Sequence, residues 1–197
     1  MAVDQITAHV HKDADAEVRG LAIAEEATTE VNIGAVAGLL TTVVENIGLV
    51  KRTVLTFAAR ELTVTDVLAY AGTKIYDFPA KKVLLLAASA SLQFAVQGAN
   101  TTINDSAAMD YSVGTVTAAS TTLDSTEADI VPKVDAPLSA TNGALSTAAV
   151  GDLAASAFLA SAADVYLNVA FPTATEIDAD GVLEITGTIT LTWIETN

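Results

Sequence analysis

The two histidines of the chain are the pair with the clearest potential for metal chemistry. His9 and His11 are separated by one residue, so an extended backbone would place both imidazoles on one face. Imidazole nitrogens are common zinc ligands, but a zinc site needs three or four protein ligands. No third ligand follows at a fixed spacing, and the chain has no cysteine. We therefore predict that both histidines are solvated residues of an N-terminal arm and bind no metal.

An acidic run near the end of the chain offers a second possible ion site. Glu176, Asp178 and Asp180 occupy alternate positions, and Gly181 takes the sixth, as in the first half of a calcium-binding loop. Such a loop needs a bidentate glutamate at its twelfth position, which here is Gly187. The run is therefore predicted to be an acidic turn. A calcium site that takes ligands from another loop stays an open alternative.

Side chains that could support catalysis are few. A Ser-His-Asp or Cys-His arrangement would need one of the two arm histidines or a cysteine that the chain lacks. The sequence has no Gly-x-Ser-x-Gly elbow, Walker loop or dinucleotide-binding fingerprint. Paired carboxylates of the glycosidase kind stay open because the chain has 24 Asp and Glu residues. Sugar-cleaving clefts usually supply aromatic platforms, whereas the only tryptophan, Trp193, is predicted to be buried. We predict a protein without enzymatic activity, catalytic residues or a cofactor.

Composition restricts the partners and the domain organisation. Nine Lys and Arg against 24 Asp and Glu leave a net charge of −15, which repels nucleic acids and anionic membranes. We therefore expect neither as a partner. A chain of 197 residues suits one domain with a short appendage. Residues 1–30 are polar and acidic without regular spacing, so we predict an N-terminal arm over 1–30 and a folded domain over 31–197.

The clearest strand pattern lies at residues 181–195. Apolar residues and glycine alternate there with threonine and glutamate, so one face should lie on a core. In this register Trp193 is a core residue. The threonines at 186, 188, 190 and 192 face outward, where they are either solvated or in contact with a neighbouring subunit.

Residues 32–50 allow three interpretations. They form the only stretch apolar enough to suggest a membrane span, but Asn32, Glu45 and Asn46 interrupt it. Apolar residues at 33, 36, 40, 43, 47 and 50 follow the spacing of a coiled-coil seam. However, the glycines and threonines are poor helix formers, and a turn-like sequence at 45–48 separates two β-branched runs. We predict a β-hairpin, with the coiled coil as the alternative.

Alternation elsewhere predicts an all-β protein. Strands are expected at 51–59, which continues the second strand of the hairpin, and at 74–78, 83–97, 111–117, 128–131 and 164–171, with Pro79 and Pro132 closing two of them. Leu84, Leu86 and the alternate residues up to Val96 should face inward, and Tyr76 and Phe78 should pack in the core. A single helical turn around 66–68 and a short helix over 151–159 are the only helices expected. About eight strands without βαβ alternation predict an antiparallel β-sandwich, jelly-roll-like in topology.

Five segments together resemble tailed-bacteriophage virion structural proteins of the head decoration, or capsid cement, type. They share a Tyr-x-Phe-Pro sequence before a long apolar strand and a threonine-rich final strand that ends in tryptophan. The segments are VKRTVLTF at 50–57, KIYDFPAKKVLLLAASASLQF at 74–94, TLDSTEADIVP at 122–132, DVYLNVAF at 164–171 and ADGVLEITGTITLTWIE at 179–195. The resemblance covers about 50–197. It implies a jelly-roll-like β-domain that is oligomeric in the virion and has no enzymatic activity.

The resemblance and the composition lead to one functional expectation. We expect a capsid decoration protein at the capsid surface that forms a homo-oligomer, and we predict a trimer. It would bind the major capsid protein through the arm and one end of the sandwich. The alternative is a tail-fibre or surface-glycan-binding β-sandwich module, which would show exposed aromatic residues in a groove. A carbohydrate-active enzyme on the same scaffold would show two facing carboxylates in a cleft.

Overall fold

The computed structural model describes residues 25–28, 39–97, 103–104, 107–141, 143–160, 162–172 and 177–196. Within these residues the chain forms eleven strands, one 3-10 helix at Ser125–Glu127 and no α-helix. None of them forms a helix long and apolar enough to span a membrane. The strands are β1 (Glu25–Thr28), β2 (Leu39–Ile47), β3 (Val50–Val64), β4 (Tyr70–Asp77), β5 (Lys82–Val96), β6 (Asp110–Gly114), β7 (Val131–Asp135), β8 (Ala149–Asp152), β9 (Ala157–Leu159), β10 (Asp164–Ala170) and β11 (Gly181–Thr196).

The strands form two antiparallel sheets. The large sheet has the order β1-β2-β3-β11-β5, and both β8 and β9 pair with β5 at its far edge. The small sheet has the order β4-β10-β6-β7. Buried apolar residues of both sheets form one core cluster, so the sheets pack face to face. The predicted antiparallel β-sandwich is confirmed, with more strands than the eight expected.

Strand β11 is the central strand of the large sheet. It pairs with β3 on one side and with β5 on the other along nearly its whole length. The alternation predicted for this strand is confirmed, and Trp193 is a core residue with 2% exposure. The inward side chains are those of Leu183, Ile185, Ile189, Leu191 and Trp193.

Strands β2 and β3 form the predicted hairpin. Ile47 is paired with Val50, and Gly48 and Leu49 make a two-residue turn. Gly48 has a φ of 64°, a conformation that glycine adopts at little cost. The turn comes later than predicted because strand pairing continues through residues 45 and 46. The coiled-coil alternative is wrong for residues 39–50, and residues 32–38 lie outside the described residues.

Strand β5 contains a β-bulge at Leu86. The residues on either side of it pair with consecutive residues of β11, so Leu86 itself has no opposite partner there. Because of this extra residue, the side chains that point inward before the bulge are the odd-numbered ones, whereas after it they are the even-numbered ones. Leu85 is buried, whereas Leu84 is half-buried and Leu86 is exposed. The prediction that Leu84 and Leu86 face inward is therefore wrong, while the alternation from 88 to 96 is confirmed.

The short helix predicted over 151–159 is wrong. This segment contains the second half of β8 and all of β9, which pair with different parts of β5. Gly151 is buried, and a Cβ there would lie 2.6 Å from side-chain carbons of Val131 and Val134. A short alanine-rich segment has little helical stability by itself, so pairing with a free sheet edge determines its structure.

Two local predictions near prolines and turns have different outcomes. The helical turn at 66–68 is confirmed, since the Ala69 N–H donates a 2.9 Å hydrogen bond to the Thr65 carbonyl. The strand predicted to end at Pro132 instead begins at Val131 and contains that proline. Strand β7 is the edge strand of the small sheet, where a residue without an N–H is tolerated.

The predicted N-terminal arm is described only at its end. Glu25–Thr28 form β1, which pairs with β2 at the edge of the large sheet. His9 and His11 lie outside the described residues, so their predicted solvation stays a prediction.

Candidate functional site

Residues 115–130, which we call the strap, cover the outer face of the small sheet. On β10, Leu167 and Val169 point into the main core, so Asn168 and Ala170 point to the opposite face. Both are nevertheless 0% exposed. Two strap residues and two sheet residues form the small apolar cluster that closes this side: Ala118, Leu123, Tyr70 and Ala170.

Asn168 connects the small sheet to the strap. Its Oδ1 accepts a 2.8 Å hydrogen bond from the Ala118 N–H. Its Nδ2 donates to the carbonyl oxygens of Val116, at 3.0 Å, and of Glu127, at 2.9 Å. One buried amide therefore makes three hydrogen bonds to strap backbone, which satisfies groups that would be costly to bury unpaired.

Further polar side chains complete this network. The Ser112 hydroxyl donates to the Glu127 carbonyl at 2.7 Å, and Glu127 Oε1 accepts from the Ala119 N–H at 2.7 Å. The Asp129 carboxylate accepts from both the backbone N–H and the hydroxyl of Thr115, at 2.8 and 2.7 Å. These buried or half-buried polar groups hold the strap in place through hydrogen bonds, so their role is structural.

The strap lies so close to the sheet that two sheet positions need glycine. A Cβ on Gly114 would lie 2.3 Å from the Thr126 carbonyl oxygen. A Cβ on Gly72 would lie 2.3 Å from the Thr117 hydroxyl oxygen. A side chain at Gly114 would require the strap backbone to move, and one at Gly72 would require the Thr117 and Asn168 side chains to shift, which explains the glycines without any ligand.

Trp193 is the centre of an aromatic cluster at the other end of the core. Its Nε1 donates a 3.0 Å hydrogen bond to the Thr53 hydroxyl. The Phe78 ring packs edge-to-face against it with centroids 5.3 Å apart, and Tyr76 packs on Phe78 in the same way at 5.1 Å. The Lys51 ammonium lies 4.9 Å from the indole centroid, within cation–π range. The predicted core packing of Tyr76 and Phe78 is confirmed.

Two groups of ion pairs lie near this cluster, at the end of the sandwich that we call the lysine end. Glu195 binds both Lys51 and Lys81, and these ammonium groups lower its pKa to about 2. Lys74 lies 2.7 Å from Asp164 and 2.8 Å from Asp77. Hydrogen bonding to Asp164 and then Asp77 raises the pKa of Lys74.

Asp110 and Asp135 are the facing carboxylates that a glycosidase hypothesis would need. They lie opposite each other on β6 and β7. Burial raises the pKa of Asp110, and the Lys133 ammonium, 3.1 Å from its Oδ2, opposes that shift. Asp110 is only 4% exposed, so a sugar cannot reach its carboxylate. This pair therefore does not form an open catalytic cleft.

The acidic run before β11 is partly described. Asp178 and Asp180 are exposed, and Asp180 Oδ1 accepts a 3.2 Å hydrogen bond from the Asp66 N–H. Glu176 lies outside the described residues. In the described part of the chain, no three His, Cys, Asp or Glu side chains lie together as a metal site would need. The calcium alternative stays a prediction.

The outer face of the large sheet is the broadest open surface that strand register defines. Phe158 is opposite Leu84, Leu84 is opposite Ile194, and Ile194 is opposite Val50, so four apolar side chains form a row across four strands. Hydroxyl and small side chains fill the neighbouring rows. We call the whole surface the outer patch: Val50, Val54, Thr56, Leu84, Leu86, Ala87, Ser89, Ser91, Val150, Phe158, Thr188, Thr190, Thr192 and Ile194.

The outer patch carries little charge. On the same face, Arg52 is ion-paired with Glu45 at 3.0 Å, Asp152 lies at the β8 edge, and Lys82 lies beside Phe158. A cleft of about 440 Å³ separates the sheet from residues 152–156, with Ser89, Thr190 and Thr192 among its lining residues. Sequence alternation identified the outward threonines, but the apolar row depends on register between distant strands and carries no local signal.

Comparison with known proteins adds no family assignment. Neither a protein-family model nor a curated protein matches this sequence. The resemblance to phage decoration proteins accordingly stays a prediction.

Proposed function

We propose that the protein is a non-enzymatic phage virion structural protein of the capsid decoration type. It forms a homo-oligomer at the capsid surface and binds the major capsid protein. The resemblance over residues 50–197 supports this proposal, and the structure of the strap is the observation that carries it.

The strap supports a scaffold role because the buried polar side chains around it form hydrogen bonds with its backbone. Asn168, Ser112 and Glu127 are buried polar residues of the kind that could serve a catalytic site, and each binds strap backbone instead. Most polar atoms of this network are hydrogen-bonded, with Glu127 Oε2 as a buried exception, and well-bonded buried networks make a structure rigid and specific. Long strands paired on both sides, such as β11, add to this rigidity. A protein that covers a particle needs a stable and rigid fold of this kind.

The lysine end is the end of the sandwich that we assign to capsid contact. Four lysines lie there in a chain of net charge −15, and nearby carboxylates neutralise most of their charge. Repulsion from an acidic partner surface is therefore reduced at this end. The lysines are Lys51, Lys74, Lys81 and Lys82.

Co-sedimentation tests the capsid contact. The full chain is mixed with particles of the major capsid protein encoded beside its gene, and bound protein is separated on a density gradient. We expect saturable binding and density on the capsid surface by cryo-electron microscopy. The double variant Lys81→Glu with Lys82→Glu should bind at least tenfold more weakly, whereas Thr63→Glu, exposed near the opposite end of β3, should bind normally. Absence of a neighbouring capsid gene and of particle binding would overturn the proposal.

A glycan-binding module is the second candidate, and one observation favours it. The cleft on the outer patch is lined by hydroxyl groups and Asp152, which suit sugar hydroxyls, and Phe158 nearby is 72% exposed. A glycan array followed by an NMR titration tests this candidate. Millimolar or tighter binding that Asp152→Ala abolishes would support it over decoration.

A further inference from the structure

We infer that the outer patch is the surface through which copies of this chain bind each other, with the apolar edge of one copy on the hydroxyl floor of the next. The edge is Leu86, Val150 and Phe158, and the floor is Val54, Thr56, Ser89, Ser91, Thr188, Thr190 and Thr192. The inference rests on the proposed function, which includes a homo-oligomer, and it identifies the surface through which the copies are in contact.

The edge exposes large apolar side chains without a partner in the described chain. Phe158 is 72% exposed, Val150 is 62% exposed and Leu86 is 36% exposed. Phe158 on β9 and Leu86 on β5 lie beside the half-buried Leu84, and Val150 on β8 lies farther along the same margin of the large sheet, opposite Ser91. Exposed apolar groups such as that around Leu84 mark interaction sites in soluble proteins.

The charge of the chain indicates that the partner is a second copy. Two molecules of net charge −15 repel each other through most of their surfaces. Arg52 and Glu45 on this face pair with each other, the exposed Asp152 lies opposite Ser89, and Lys82 lies beside Phe158, so the charges on and around the patch sum to about zero. The electrostatic cost of bringing two copies together is therefore low at this patch.

The size of the patch suits a modest interface. Four or five strands spaced by about 4.8 Å, each contributing about eight residues at about 3.3 Å, span on the order of 600 Å². An edge-to-floor contact joins one part of one patch to the other part of the next, so a single contact buries at most about 600 Å² in total, which is in the range of weak, transient interfaces. We expect association in the micromolar range, strengthened when several contacts act together.

The two parts of the patch make the contact head-to-tail. Edge and floor are different surfaces, so an edge-to-floor contact is heterologous, and it gives a closed ring when the rotation between successive copies closes and an open filament when it does not. A ring of three copies is the trimer expected from the resemblance. A contact between two identical patches would instead be twofold and give a dimer.

Sedimentation velocity of the full chain over a concentration series tests the contact. We expect the wild type to associate, and Phe158→Ser and Thr190→Glu each to raise the dissociation constant at least tenfold. Val67→Ser, which removes an equally exposed apolar side chain from the turn after β3, should leave association unchanged. Circular dichroism checks that each variant is folded.

A mixing experiment tests the edge-to-floor arrangement. The Phe158→Ser chain retains an intact floor, and the Thr190→Glu chain retains an intact edge. Their mixture should therefore form a heterodimer, although each variant alone is monomeric. A mixture that stays monomeric would overturn the head-to-tail contact.

Two other outcomes would overturn the inference as a whole. One is a wild-type protein that stays monomeric up to about 1 mM, in particular one that binds a glycan on this patch. The other is an oligomer that persists in both patch variants. The protein would then form an oligomer, but through a different surface. Capsid binding is measured separately, so its failure is distinguishable from failure of the self-contact.

Discussion

The indole Nε1 of Trp193 donates a 3.0 Å hydrogen bond to the hydroxyl of Thr53 on the adjacent strand β3. Thr53 is 0% exposed and Trp193 is 2% exposed, so neither group can turn to water. The buried indole N–H therefore has the buried threonine hydroxyl as its hydrogen-bond acceptor. The pair joins the two longest neighbouring strands of the large sheet at the lysine end.

Thr53→Val should destabilise the protein by about 1–3 kcal/mol, because it leaves the indole N–H buried without an acceptor. Urea unfolding followed by tryptophan fluorescence measures the change. Thr56→Val is the matched control. Thr56 is exposed on the same strand, and the substitution changes the side-chain volume by the same amount. Equal effects at the two positions would show that the hydrogen bond contributes nothing.

Asn168→Ala should release the strap from the small sheet. The change removes three hydrogen bonds, leaves the Ala118 N–H and the Val116 carbonyl without these partners, and leaves the Glu127 carbonyl with the Ser112 hydroxyl alone. We expect a loss of about 2–4 kcal/mol in the free energy of unfolding and faster hydrogen exchange over residues 115–130. Ser112→Ala removes one bond to the same Glu127 carbonyl and should cost less, about 1 kcal/mol. Exchange that is unchanged in the strap would contradict this role for Asn168.

Gly187→Ala should be among the most damaging single changes in the chain. Gly187 has a φ of 136°, and an added Cβ would lie 2.1 Å from the Ser91 carbonyl oxygen. Backbone strain and overpacking together predict a loss of about 3 kcal/mol or more. At Gly48, where φ is 64° and nothing lies within 4 Å of an added Cβ, alanine should cost only about 1–2 kcal/mol. Thermal unfolding of both variants measures the difference, and a reversed order would refute the steric argument.

Glu195 should contribute stability that disappears in acid. Lys51 and then Lys81 lower its pKa from 4.5 to about 2, so the folded state favours the ionised carboxylate. The contribution is therefore complete above pH 4.5 and is lost as the pH falls toward 2.

The comparison of wild type with Glu195→Gln over a pH series measures this contribution. The difference in melting temperature should be largest above pH 5 and should vanish near pH 2. Asp124→Asn, a change at an exposed carboxylate on the strap, should show no such trend. A difference between wild type and Glu195→Gln that is constant with pH would rule out the ion pairs as its cause.

Local pattern was enough to predict the fold class and the facing of several strands. The alternation of residues 183–193 and of 165–171 identified their core faces, because successive side chains of a strand point to opposite sides whatever the strand pairs with. The hairpin of β2 and β3 followed from turn chemistry between two β-branched runs. These are properties of adjacent residues, and they are therefore readable from the sequence alone.

Tertiary structure decided the features that depend on residues far apart in the chain. Leu86 faces outward because β5 must bulge to stay paired with β11, and no residue near Leu86 signals the bulge. Asn168 looks like a solvated residue until the strap covers it. The row from Phe158 to Val50 exists only because four strands take one register, since strand pairing sets which side chains become neighbours. The sequence alone thus determined which way most strands face, and only the folded chain decided which faces are covered and which stay open.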